Sequence, residues 1–124
     1  MDTTSERAPK TLTIGTRTWV WCSFSFEGFH CWPTAPDHVA FLRSPHRHMF
    51  HVEAQKEVTH TDRDIEFITL KRQLEAAIVP IQASRDVSNW SCEDWCHELL
   101  NRFDLYRVEV SEDNENGAVV ERVD

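Results

Sequence analysis

An α+β fold, with two helices on one face of an antiparallel four-stranded sheet in the order β-β-α-α-β-β, is predicted by three observations. Two stretches rich in β-branched and aromatic residues open the chain, two stretches of helical period fill its middle, and two short β-rich runs close it. At 124 residues the chain has room for one core and not for two domains of usual size. Residues 1–124 are therefore read as a single domain, of which the polar stretch 1–10 is expected to be frayed and disordered.

The first strand is expected over Thr11 to Phe26, a stretch rich in Thr, Trp, Val, Ile and Phe. Trp19, Trp21 and Ser23 share one face and Val20, Cys22, Phe24 and Phe26 the other, which predicts cover on both sides. Cys31 to Pro45 carries Pro33, Pro36 and Pro45 with no sustained period, and reads as a long loop packed by Trp32 and Phe41, suited to a lid or pocket wall. His46 to Thr59 is the second strand.

From Asp64 onward Phe67, Leu70, Leu74, Ala77 and Ile78 recur at helical spacing, with Asp64 and Glu66 at the end that favours anions and Pro80 as the stop. A second helix starts at Ser91, which with Asp94 approximates a capping box, while Trp90 and Trp95 take the two staple positions. Its apolar stripe is Trp95, Cys96, Leu99, Leu100 and Phe103. Leu105 to Val110 and Ala118 to Val123 are short strands, with a hairpin turn expected at Asn116 and Gly117. Helices on one face leave the other to a second subunit, so a closed homo-oligomer is expected.

A formal net charge of -8 argues against a nucleic-acid partner, which calls for a basic face. Arg43, Arg47, Arg63, Lys71 and Arg72 could still supply a local field for a phosphorylated ligand. No apolar run approaches the length that spans a bilayer, and the first residues lack the apolar stretch of a secretory signal, so a cytoplasmic protein is expected. The four cysteines have no CxxC spacing and read as free thiols in a reducing compartment.

The chemistry concentrates in His30 and in the run from Ser44 to His51. On a strand His46 and His48 point to one face, about 7 Å apart along the chain, while Arg47 and His51 have the opposite parity. A third ligand must come from elsewhere, and His30, at the far end of the preceding strand, fits. Three neutral imidazoles and one open position make the usual catalytic zinc site, able to polarise a substrate oxygen. The bland alternative is a His-x-His pair that merely decorates the surface of a His-rich chain.

Phe24, Phe26 and His30, then His46, His48 and Phe50, then Glu66-Phe67 with Lys71, then Trp90-Ser91-Cys92-Glu93, and last Val110-Ser111-Glu112-Asp113 with Ala118-Val119-Val120 follow one another over about residues 12 to 122. In that order the chain resembles the tunnelling-fold family of pyruvoyl-tetrahydropterin and carboxy-tetrahydropterin synthases. The resemblance implies zinc held by His30, His46 and His48, and a homo-oligomer, tetramer or hexamer, that closes into a barrel. It also implies a reduced pterin or purine-derived nucleotide as the small-molecule ligand, bound by Glu112 and Phe26, and a lyase-like activity on it. A carboxylate such as Glu112 accepts two parallel N–H bonds from an amino-pyrimidinone edge.

The chain departs from that pattern at the proton-transfer groups. The synthases have a Cys a few residues before the His-x-His pair, where this chain has Leu42, and no His follows Asp86 to form their Asp-His pair. Arg47 replaces their glycine and Glu66 their Asp. A base would have to be recruited from Cys31, His38, His60 or Asp86. Cys31, beside a proposed ligand, and His38 are the catalytic candidates. Cys92 and Cys96 with His97 have the spacing of a second metal pair but read better as a buried seam beside Trp95. Two other functions compete with the lyase: a pterin- or purine-binding protein without turnover, and an oligomeric assembly protein whose metal site is structural.

Overall fold

In chain order the elements are β1 (Thr18–His30), a 3-10 segment (Asp37–Arg43), β2 (His46–Val58), α1 (Phe67–Ser84), α2 (Cys92–Phe103), β3 (Arg107–Glu112) and β4 (Asn116–Glu121). The structure is a computed structural model that describes residues 10–124, so the expectation for 1–10 lies, Lys10 apart, outside the described residues. The four strands form one antiparallel sheet in the order β1-β2-β3-β4, which is not closed. The β-β-α-α-β-β order is therefore the one read from the sequence.

β1 and β2 pair along their whole length, from Thr18 opposite Val58 to His30 opposite His46. Alternation along each strand sends Cys22, Phe24, Val52, Ala54, Val108 and Val110 to one face, where all are buried. α1 packs over β1 on that face, and α2 over β3 and β4. The helices contribute Leu70, Leu74, Ile78 and Ile81 from α1 and Trp95, Cys96, Leu99 and Leu100 from α2 to the same cluster. A buried Leu such as Leu74 or Leu99 stabilises the fold by about 1.5–3 kcal/mol.

Among the described residues nothing covers the opposite face. Trp21 is 59% exposed and Ser23, Ser25 and Glu27 are exposed with it, so the second cover expected for β1 does not come from these elements. β1 also sits later than expected, because Thr13 to Thr16 form a turn closed by the Thr16 N–H to the Thr13 carbonyl. Pairing with β2 then carries β1 on to His30.

α1 begins where Glu66 accepts from the N–H groups of Ile68 and Thr69. Pro80 lies inside this helix and does not end it, a second correction. The missing N–H is outweighed by burial of Ile81, 1% exposed, in the turn that follows. α2 opens with both halves of the capping box, Ser91 to the Asp94 N–H and Asp94 to the Ser91 N–H, and the Trp90 and Trp95 rings meet edge to face at 4.8 Å. Asp104 in the left-handed region, φ 52°, ends it.

The β3–β4 hairpin turns at Asp113 and Asn114, both at positive φ, and not at Asn116 and Gly117, which belong to β4. Asp and Asn tolerate that region among non-glycine residues. Gly117 serves another purpose: a Cβ there would strike the Val110 carbonyl across the ladder. Among the described residues no helix is long and apolar enough to cross a membrane.

Candidate metal centre

The register that pairs β1 with β2 sets His30 directly opposite His46, and Gly28 opposite His48. All three histidines lie on the core-facing side, continuing the parity of Phe26 and Phe50. Their ring centroids are 4.5 Å (His30–His46), 4.9 Å (His30–His48) and 4.7 Å (His46–His48) apart. One ring nitrogen from each falls within 4.8 Å of the other two, a cluster that could hold a metal ion.

What each imidazole does with its other nitrogen decides its role. The Nδ1 of His30 meets the Trp90 carbonyl at 3.4 Å, that of His46 the Ser44 carbonyl at 2.8 Å, and that of His48 the Asp113 carboxylate at 2.7 Å. Carbonyl and carboxylate oxygens only accept, so each Nδ1 carries a proton, and in the neutral ring Nε2 is then the nitrogen with the free lone pair. All three Nε2 atoms are buried and have no hydrogen-bond partner among the described residues. Three orphaned lone pairs converging on one place fit a cation, and outer carboxylate or carbonyl partners on Nδ1 are what orients metal-binding imidazoles. Burial is also the largest influence on His30, holding it below the ordinary imidazole range against the opposing pull of Glu112, and so keeping it neutral.

The floor of the cluster is aromatic. Phe50 lies 5.7 Å from His30 and 6.1 Å from His48 and stacks on Phe26 at 5.2 Å, and Phe26 in turn meets Trp95 at 4.9 Å. Gly28 lets Phe50 in: a Cβ at that position would come within 2.8 Å of the Phe50 ring. This gives Phe26 its observed place, packed against the core beneath the histidines.

Glu112, at the end of β3 and on the same face, has one carboxylate oxygen 3.3 Å from His30 Nε2 and the other 3.4 Å from His48 Nε2. Asp113, which sequence reasoning did not single out, is locked between His48 and the Met49 N–H. Those two bonds hold its carboxyl below the usual carboxylate range, with His48 the larger cause. The available signal was its place: the residue after Glu112 in a hairpin that starts beside β2.

A cavity of about 490 Å³ opens beside His30, His46 and Glu112. Trp32, Leu42 and Trp90 give it apolar walls, and Asn89, Glu93 and Asn116 polar ones. Cys31 borders it too, so the first catalytic candidate stands next to the cluster. His38 is exposed on the 3-10 segment and does not line the cavity. His60 lies beyond the other end of β2, next to Asp64 at 3.6 Å, and Asp86 accepts from the Ser88 N–H.

Cys92 and Cys96 are buried in the core as a seam, and burial pushes their thiols up to about 12 and about 11. Of the cations, Arg43 is held by Asp37 and Arg47 by Glu27, each at 2.8 Å.

Fold and site together define an α+β protein with a three-histidine cluster that could hold a metal ion. Compared with known protein families the chain matches none, and no curated protein matches its sequence.

Proposed function

We propose that His30, His46 and His48 hold zinc and that the adjoining cavity takes a reduced pterin or a purine-derived nucleotide, on which the protein acts as a synthase-like lyase. The observation that carries this reading is the convergence of three buried, unpartnered Nε2 atoms beside a cavity bounded by Trp32, Trp90 and Glu112. The likeness to the tetrahydropterin synthases supports the ligand class. Bound there, zinc would supply Lewis-acid polarisation of a side-chain oxygen of the ligand.

The remaining work falls to the chain's own groups. Trp32 and Trp90 offer flat apolar surface to a heterocycle. The two oxygens of Glu112 suit the paired N–H groups of an amino-pyrimidinone edge. Cys31 is the thiol at the cavity that is not buried in the core, and so the group in reach of a substrate proton. Copies of the chain would close the open sheet edge to edge, as the unpaired outer strands β1 and β4 allow.

One observation favours a second reading, binding without turnover: position 42 faces the cavity with a leucine where the synthases have their thiol. Incubating the zinc-loaded protein with dihydroneopterin triphosphate separates the readings. Binding with release of triphosphate or a side-chain fragment is expected for the lyase, and binding without product for the second reading. No binding of the compound overturns both.

A further inference from the structure

We infer that Glu112 is the fourth protein ligand of the metal while the cavity is empty, and that it leaves that position when a ligand enters. The inference rests on the proposed metal site and deepens it.

Four donors around one tetrahedral zinc ion, each at about 2.0–2.2 Å, stand roughly 3.3–3.6 Å from one another. One Glu112 oxygen lies 3.3 Å from His30 Nε2 and the other 3.4 Å from His48 Nε2, within that spacing for two of the three imidazoles. The orientation of the rings points the same way. Each Nδ1–H is committed, to Trp90, Ser44 or Asp113, so the ring edges that face the carboxylate are the Nε2 ones. A carboxylate held against two imidazole nitrogens in a half-buried site calls for positive charge between them, which a metal ion would supply. Glu112 cannot simply turn outward: it continues the inner-face parity of Val108 and Val110, stands opposite Phe50, and is followed by Asp113 fixed to His48 and Met49.

The consequence is a latched centre. With Glu112 in place, a four-coordinate metal held by His30, His46 and His48 would take the carboxylate as its fourth donor and have no position for an outside oxygen. A ring edge whose N–H groups bind Glu112 draws the carboxylate away, and the same event opens the metal to the ligand's side chain. Ligand recognition and metal access are then one motion of one side chain.

The test uses the metal-free full chain, cobalt(II) as the probe metal and azide as a small anion that binds open metal positions. Wild type is expected to bind cobalt with an absorption spectrum that azide does not change. Glu112→Gln and Glu112→Ala are expected to bind cobalt at least about tenfold more weakly, since even an outer-shell partner is worth 10–100-fold, and Glu112→Ala to give a spectrum that azide shifts. Cobalt binding of unchanged affinity in both variants, or a wild-type spectrum already shifted by azide, overturns the inference and leaves the three-histidine site standing. Failure of wild type to bind cobalt at all overturns the metal site and the inference with it. The wild-type azide measurement needs no variant to fold.

Discussion

Two ends of one sheet face carry opposite chemistry on the same geometry. At one end Cys22, Phe24, Val52, Ala54, Val108 and Val110 are at most 8% exposed under the two helices. Two-residue steps along the same strands lead from Phe26 to Gly28 and His30, from Phe50 to His48 and His46, and from Val110 to Glu112. There the side chains of His30, His48 and Glu112 are 15–20% exposed, and His30 and Glu112 border a cavity instead of a helix. Strand parity is constant, so what changes is the cover and the residue type. The site is the core pattern continued in nitrogen and oxygen, and it inherits the rigidity of Phe50 and Trp95 beneath it.

That difference has an energetic side. A packed apolar end stabilises the chain by itself, whereas a buried acceptor with no partner costs about 1–3 kcal/mol. Three such atoms make the histidine end a local liability that a cation turns into a gain. The two ends should therefore separate cleanly under substitution. Leu99→Ala, at a fully buried position of α2, is expected to lower unfolding free energy by about 2–5 kcal/mol in a urea melt while leaving metal affinity of the folded protein unchanged. A drop in metal affinity under native conditions would show that the ends are not separable.

Gly28→Ala probes the seam between them. Its Cβ would press on the Phe50 ring, which is 2% exposed and stacked on Phe26, so a loss of about 1–3 kcal/mol is expected together with weaker metal binding. Unchanged metal binding in a destabilised variant would mean that the aromatic floor does not position the imidazoles.

At the site end alone, Asp113→Asn keeps a residue that tolerates the positive φ of the turn but removes the charge on His48 Nδ1. Metal affinity is expected to fall by about tenfold, the lower part of the range for such partners, with a modest drop in thermal midpoint of the metal-free protein near pH 7. Equal affinity would leave the Asp113–His48 contact without a part in the site.

The smallest effect lies at the start of α1. The Ile68 N–H is the largest cause, with Thr69 next, holding the Glu66 carboxyl below its ordinary value. A folded-state value below the unfolded one gives stability that is present above the unfolded pKa and is lost as pH falls through the folded one. Thermal midpoints of wild type and Glu66→Gln should therefore differ modestly near pH 7 and converge below the ordinary carboxylate range. A gap that stays constant to low pH would show that the charge on the cap is idle.

Local chemistry made some boundaries legible in the sequence. β2 starts at His46, and α2 starts after Ser91 because cap, box and staple are all short-range devices. His46 and His48 were legible through parity, with His51 turned away as its odd spacing requires, and His30 through its place at the far end of the preceding strand. What escaped depends on long-range pairing. Thr11 to Thr16 has strand composition but, among the described residues, pairs only through an isolated bridge from Thr11 to His60, Pro80 is tolerated because Ile81 is buried beyond it, and the hairpin turns at Asp113 because Glu112 pairs with Asn116. Glu112 was legible as a carboxylate at the site, but its nearness to His30 and His48 appears only once β3 is laid beside β2.

The most direct test of the metal centre is a zinc titration of the metal-free chain, read by calorimetry and by thermal midpoint, beside His46→Ala. Wild type should bind about one ion per chain and melt at a higher temperature as free zinc exceeds the dissociation constant, by the linkage of binding to folding. His46→Ala should keep the fold by circular dichroism and lose both the binding and the shift. Zinc that leaves the wild-type midpoint unmoved, or that binds His46→Ala as tightly as wild type, would contradict a metal site at His30, His46 and His48.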